Sequence, residues 1–396
     1  MCIIYLRDIS CKEIYYTKPL FKLITIMFPI DIDFSRLKEV LTYDPQAPMI
    51  FSSGIFLWLF AAFMIVYTLL QRKYTARILF VTLFSYYFYY KSSGTYFFLL
   101  ALVTVCDFLL AQWMDRTEGR WKRKGLVTLS LGVNLGLLAY FKYTNFLGGV
   151  IASLMGGEFT ALDIFLPVGI SFFTFQSLSY TIDVYRKDIK PLTNILDYAF
   201  YVSFFPQLVA GPIERATNLL PQFLRPRTFD TAQAVDGLRQ ALWGFFKKIV
   251  VADNCAILAN GIFDNYENLS GGALVIGAVA FSFQIYGDFS GYSDIAIGIS
   301  RLFGFSLMRN FNYPYFSRDI AEFWRRWHIS LGDWLRNYLF YPLSISKAFL
   351  NWGRHARQHL GNHIGKVLPT AVASLITFLI IGIWHGANFR YIAFGL

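Results

Sequence analysis

The 396-residue chain carries five histidines, and two of them sit where an imidazole could do chemistry. His385 closes an apolar run in Gly382-Ile-Trp-His-Gly-Ala-Asn388, with Trp384 before it and the small residues Gly386 and Ala387 after it. At membrane depth desolvation favours the uncharged ring, and a neutral imidazole accepts a proton. The small neighbours leave room for a substrate. That suits a general base, worth roughly 10²–10⁴-fold in rate. An interfacial histidine bonded to a backbone carbonyl fits the same residues. His328 lies in Arg325-Arg-Trp-His-Ile-Ser-Leu331. Its cationic neighbours Arg325 and Arg326 suit a group that orients a substrate, although on these residues alone a structural role is the simpler reading. His355, His359 and His363 are spaced i, i+4, i+8 and mimic a metal site on one helix face. No carboxylate lies between them, Gly361 weakens the helix, and the basic stretch from Arg354 to Lys366 repels a cation. A solvated segment is expected there, with no metal.

Polar residues inside apolar runs are costly in a bilayer and are functional candidates by default. The run from Phe281 to Ser300 is the densest, with Gln284, Tyr286, Asp288, Ser290, Tyr292, Ser293 and Asp294. Gly287 and Gly291 stand at the spacing that lets another backbone come close. The run fits the wall of a polar tunnel and also fits hydrogen-bonded helix packing. From Pro206 to Arg215, two prolines and a glycine interrupt another hydrophobic stretch. Such backbone survives at membrane depth only when buried in protein or lining water. It reads either as a re-entrant turn beside a substrate path or as a loop at the membrane edge. There is no Gly-x-Ser-x-Gly elbow and no phosphate-binding GxxxxGK[ST].

The elements that position these residues follow from composition. Lys and Arg number 36 against 25 Asp and Glu, giving a net charge of +11, yet only 15% of residues are charged and 56% are hydrophobic. Soluble domains carry about 25% charged residues. An all-α, polytopic membrane protein is expected. The basic residues fall in short gaps between apolar runs, which excludes a nucleic-acid binder with its polar, basic face. Four scattered cysteines (Cys2, Cys11, Cys106, Cys255) form no CxxC pair and indicate neither a disulfide framework nor a zinc site. The stretch Leu20–Ile30 is short, contains Lys22 and lacks a signal-peptide cleavage site.

A spanning helix needs about 20 apolar residues. Candidates are 49–70, 78–90, 95–114, 126–147, 163–184, 195–212, 238–258, 273–300 and 367–385, about nine spans in one membrane domain over 49–396. The loops 71–77, 115–125 and 185–190 hold clusters of Lys and Arg, whereas 91–94 holds only Lys91 and 148–162 holds none. The positive-inside rule places the basic loops in the cytoplasm. Residues 1–48 read as an N-terminal extension, amphipathic near Ile32–Tyr43, or as sequence ahead of the true start. In 315–366, Trp324, Trp327, Leu331 and Trp334 share one face if the helix is unbroken, with Gly332 as the weak point. Glu322 and Arg326 are i,i+4 partners there.

Six ordered stretches resemble the membrane-bound O-acyltransferase (MBOAT) family, and within it the alginate O-acetylation branch. They are Leu166-Pro-Val-Gly-Ile-Ser-Phe-Phe-Thr-Phe-Gln176 with Tyr180 to Arg186, Phe205 to Arg215, Asp288-Phe-Ser-Gly-Tyr-Ser-Asp294, Asn310-Phe-Asn-Tyr-Pro-Tyr315, Glu322 to Leu331, and Ile383-Trp-His-Gly-Ala387. The resemblance implies a helical bundle around a funnel or tunnel. It implies His385 and His328 as the catalytic pair, with Asp288, Tyr292, Asp294, Trp384, Arg325 and Arg326 along the substrate tunnel. It implies no bound cofactor, with acetyl-CoA or another acyl thioester as donor substrate. It also implies a polysaccharide acceptor, an extracytoplasmic SGNH-type acetyltransferase partner and a bacterial cytoplasmic (inner) membrane location among membrane lipids. Family members usually continue beyond the Trp-His-Gly-Ala motif, so the chain reads as C-terminally truncated.

Overall fold

The computed structural model describes residues 34–70, 72–209, 211–223 and 229–396; the Leu20–Ile30 stretch lies outside them. Among the described residues every regular element is helical. In chain order they are α1 (Phe34–Leu41), α2 (Gly54–Leu69), α3 (Tyr74–Ser93), α4 (Phe97–Arg116), α5 (Arg120–Leu154), α6 (Ile170–Arg186), α7 (Ile195–Ser203), α8 (Phe205–Leu208) and α9 (Ala216–Phe223). Then α10 (Thr231–Phe245) runs through a π-helical stretch, Phe246–Ala252, into α11 (Asp253–Phe263), and α12 (Gly271–Leu302) follows. The remainder is α13 (Ile320–Arg326), α14 (Ile329–Leu335), a π-helical stretch Arg336–Phe340, α15 (Tyr341–Ser344), α16 (Lys347–His385) and α17 (Phe389–Gly395). Four stretches are long and apolar enough to cross a bilayer: Tyr74–Arg116, α5, α12 and α16, while α2 is apolar but has 16 residues. The protein is an all-α, polytopic membrane protein.

Each apolar run of the sequence coincides at least in part with helix, but 195–212 is broken at Phe204. Pro206 stands in the first turn of α8, and Phe204, Phe205, Gln207 and Leu208 are buried. Gly211 to Glu214 are buried as well, so the described residues on both sides of Val209 are enclosed by protein, as a re-entrant turn would be. Polar groups in and beside it find partners: the Ile213 N–H donates to Ser330 Oγ at 3.0 Å, the Phe205 N–H donates to Ser85 Oγ at 3.2 Å, and the Tyr201 carbonyl accepts from Gln176 at 2.5 Å and Gln207 at 2.8 Å. Around it Phe205 packs its ring against Phe63, Phe84, Phe88 and Phe303.

The glycine pair of α12 does bring backbones together. At the crossing of α10 with α12, a Cβ on Gly244 would stand 2.6 Å from the Gly291 carbonyl oxygen and 2.7 Å from Ile295 N. Gly244→Ala should therefore destabilise the protein by about 1–3 kcal/mol through overpacking. Thermal unfolding of the detergent-solubilised protein checks this, with Gly261→Ala as control because nothing lies within 4 Å of the Cβ it would add.

The tryptophan-bearing segment departs from expectation. Trp324, Trp327, Leu331 and Trp334 do not share one continuous helix, because α13 ends at Arg326 and His328 adopts φ 45°. The break lies ahead of Gly332, which sits inside α14. Its cause is the segment upstream of α13: the Asn312 N–H donates to the Arg326 carbonyl at 2.9 Å, and the Ile329 N–H donates to the Asn310 carbonyl at 2.9 Å. These bonds take backbone groups that a continuous helix would pair internally. Within α13 the Glu322–Arg326 pair forms at 2.6 Å, and Asp319 caps the helix by accepting from the Glu322 N–H at 2.6 Å. In α16 the backbone leaves helical geometry at Gly361 (φ 84°), between His359 and His363. The rings of His355 and His359 are 4.3 Å apart, and among the described residues no group of three His, Cys, Asp or Glu side chains could hold a metal ion.

Candidate active site

A cavity of about 340 Å³ lies between α13–α14 and the second half of α16. One wall is Ser374, Thr377, Phe378, Ile381 and His385, spaced so that they share one helical face. The run from Ser374 to His385 covers about 16 Å of helix at 1.5 Å per residue. The facing wall holds Trp324, Arg325, His328, Leu331, Leu335 and Arg336. His328 and His385 thus line the same space, although one comes from the break between α13 and α14 and the other from the end of α16.

His328 is 4% exposed and belongs to a fixed hydrogen-bond group. Its Nδ1 lies 3.0 Å from Asn310 Oδ1, which also accepts from the Ser330 N–H at 3.3 Å and from Ser330 Oγ at 2.9 Å. Asn310 Nδ2 donates in turn to Ser293 Oγ on α12 at 3.0 Å. The ring packs edge-on against Phe289, centroids 4.6 Å apart, and lies parallel to Phe311. Nε2 is buried with no hydrogen-bond partner. Burial, reinforced by the nearby His385, holds the imidazole well below its usual range, so the neutral ring dominates.

His385 is the last residue of α16, and α5 grips that helix end. Tyr143 Oη donates to the Ile383 carbonyl at 2.7 Å, while Lys142 Nζ donates to the Trp384 carbonyl and lies 5.3 Å from the Trp384 ring centroid. A cation and a hydroxyl at a helix C-terminus satisfy carbonyls that have no partner within the helix. After the turn α17 folds back, so that the His385 ring meets Phe394 edge-on at 5.6 Å. Trp384 joins a stack of three rings: it lies parallel to Phe175 at 5.5 Å, and Phe175 lies parallel to Trp334 at 4.3 Å. Trp334 Nε1 donates to the Phe175 carbonyl at 2.8 Å and fixes the stack. Phe175→Ala removes the middle ring and should cost about 3–5 kcal/mol. Unfolding midpoints and tryptophan fluorescence would report it.

Most of the other expected tunnel residues are not gathered here. Arg325 lines the cavity, but Arg326 is engaged by Glu322. Asp288 pairs with Lys248 at 2.6 Å and is half exposed. Tyr292 stacks on Phe51, centroids 4.8 Å apart. Asp294 pairs with Lys247 and accepts from Gln240 at 2.9 Å in a separate cavity of about 570 Å³ that also holds Arg239, Arg301 and Arg309. Helical rotation explains the scatter: at 100° per residue, Asp288 and Asp294 point about 120° apart. Lys142, Tyr143, Asn310 and Ser330 were missed as site residues. Lys142 carried a signal, being a cation inside the apolar run 126–147.

Comparison with known proteins agrees with this architecture. Residues 186–396 match the model of the membrane-bound O-acyltransferase family. The chain is 40% identical to a Pseudomonas aeruginosa protein named probable alginate O-acetylase AlgI, over 88% of this chain and 64% of that protein. It is 33% identical to a peptidoglycan O-acetyltransferase of Helicobacter pylori, over 88% of this chain and 68% of that protein. It is 27% identical to a teichoic acid D-alanyltransferase of Bacillus subtilis, over 66% of this chain. The chain thus spans a little under two thirds of the length of the Pseudomonas protein. On the family match and on relatives that share most of its length, the chain belongs to the membrane-bound O-acyltransferase family.

Proposed function

We propose that the protein transfers an acyl group, acetyl in the simplest case, from a cytoplasmic thioester such as acetyl-CoA to a hydroxyl of an exported polysaccharide. The observation that carries this reading is that His328 and His385 line one cavity in a chain of this family. The hydroxyl oxygen attacks the thioester carbonyl carbon, the C–S bond breaks, and the thiolate leaves with the proton that the hydroxyl gave up. His385 takes that proton first, and His328 holds a substrate group. Arg325 and Arg336 offer charge-assisted bonds to donor phosphates. Asp288, Tyr292 and Asp294 stiffen α12 against its neighbours. Residues 49–396 form one membrane domain of a bacterial cytoplasmic membrane protein, with the basic loops inside.

Release of free thiol from acetyl-CoA by protein in proteoliposomes, together with labelled acetyl on alginate oligosaccharides, tests the proposal. A transporter of polysaccharide or lipid would move substrate without releasing thiol, and a scaffold would do neither. Absence of thiol release from full-length protein with the acceptor present overturns acyl transfer.

A further inference from the structure

The hydrogen bonds around Asn310 fix which nitrogen of His328 carries the proton. The Ser330 backbone N–H can only donate, so the Asn310 side-chain atom it faces at 3.3 Å is the carbonyl oxygen. The opposite edge of the amide agrees, because Nδ2 donates to Ser293 Oγ. The same oxygen lies 3.0 Å from His328 Nδ1, and an acceptor there requires a protonated Nδ1. A neutral ring protonated on Nδ1 has a bare lone pair on Nε2. That atom is buried and has no partner, in a ring that lines the cavity shared with His385. Buried acceptors without partners are rare in folded proteins, and one beside a cavity is a place for a ligand's hydrogen.

We infer that Asn310 is a positioning residue that locks His328 in the Nδ1-protonated tautomer, so that Nε2 only accepts hydrogen bonds and His328 holds the acceptor hydroxyl rather than the thioester carbonyl. A carbonyl oxygen offers Nε2 no hydrogen, whereas a hydroxyl does. The division of labour is then set by geometry: His328 orients the alcohol, and His385 stands free at the helix end to take its proton. Three elements hold the arrangement. Ser293 comes from α12, Asn310 from the segment after it, and His328 with Ser330 from the break that opens α14. His328 itself holds a left-handed backbone conformation, φ 45°, at this break. The inference rests on the acyl-transfer reading only for the identity of the hydroxyl, since the tautomer stands without it.

The test uses the full-length protein in lipid nanodiscs. Nitrogen-15 NMR of histidine-labelled protein, with His328→Gln identifying the resonance, should show wild-type His328 protonated on Nδ1 and bare on Nε2. The opposite tautomer overturns the inference whatever the activity. Kinetics with acetyl-CoA and alginate oligosaccharides supply the second arm. Asn310→Ala should raise the oligosaccharide KM or lower acceptor-dependent kcat/KM by about 100-fold, with the acetyl-CoA KM changed by less than about threefold. Asn310→Asp, which keeps oxygens facing both His328 and Ser330, should recover most of that loss. Equal weakening of donor and acceptor, or no recovery in Asn310→Asp when both proteins are folded, overturns the positioning role. If Asn310→Ala does not fold, the wild-type spectrum and the Asn310→Asp kinetics still decide. A wild-type protein without thiol release refutes the acyl-transfer reading alone, because the spectrum judges the tautomer separately.

Discussion

His385→Ala is expected to lower thiol release from acetyl-CoA by about 10²–10⁴-fold, the usual worth of a positioned general base. The same substitution should leave the unfolding temperature nearly unchanged. His385 as a residue is exposed in the protein, and its ring contacts are edges against Trp384 and Phe394. Substitutions at such positions usually shift stability by no more than about 0.5 kcal/mol. Loss of rate with retained stability is thus the signature of chemistry rather than of collapse. Thiol release continuing at the wild-type rate in this variant removes His385 from the mechanism. His328→Ala should combine a similar loss of rate with a measurable loss of stability, because that ring is buried among Phe289, Phe311 and Asn310.

Asp183→Ala is expected to destabilise the protein by about 3–5 kcal/mol, the range for removing one partner of a buried charge pair. The Asp183 side chain is fully buried; it accepts from Tyr338 Oη at 2.8 Å and pairs with Arg215 at 3.3 Å. Arg215 Nε donates to Tyr338 Oη at 3.0 Å, and the guanidinium lies 5.2 Å from the Tyr338 ring centroid. Three distant segments meet at this group: α6, the end of the enclosed turn at Arg215, and the π-helical stretch after α14. Without the carboxylate, a guanidinium that is about three-quarters buried stays behind with a phenol as its neighbour. Asp183→Asn keeps the shape and an acceptor for Tyr338 but not the charge, and should fall between wild type and alanine. Unfolding midpoints in detergent would measure both, and a shift for alanine worth under 1 kcal/mol would contradict the prediction.

How much of this was legible in the sequence depended on the range of the forces involved. The helical membrane class was readable because apolar length is a local property, and every apolar run coincides at least in part with helix. His385 stood out because a single imidazole at the end of an apolar run is conspicuous, and it lies on the cavity wall. The break at Trp327–His328 was not, since its cause is the backbone of Asn310 and Asn312, whose bonds replace those of the helix only once the chain has folded. Lys142 could be flagged as a cation at membrane depth, but its partner, the Trp384 carbonyl, lies 242 residues away. The scatter of Asp288, Tyr292 and Asp294 could have been anticipated from rotation about the axis of α12. Of the two readings that the polar run allows, a tunnel wall and hydrogen-bonded helix packing, the second accommodates that rotation.

Lys142 and Tyr143 fasten the end of α16 to α5, whose apolar run 126–147 covers about 33 Å against about 30 Å of hydrocarbon. An apolar rod longer than its slab leans, and the angle of lean follows the thickness of the slab. Whatever changes that angle pulls on the Ile383 and Trp384 carbonyls, and the imidazole one residue further on travels with them. Lipid tail length then becomes a control knob on proton transfer: nanodiscs built from short-tailed and long-tailed lipids should give different turnover from one and the same polypeptide.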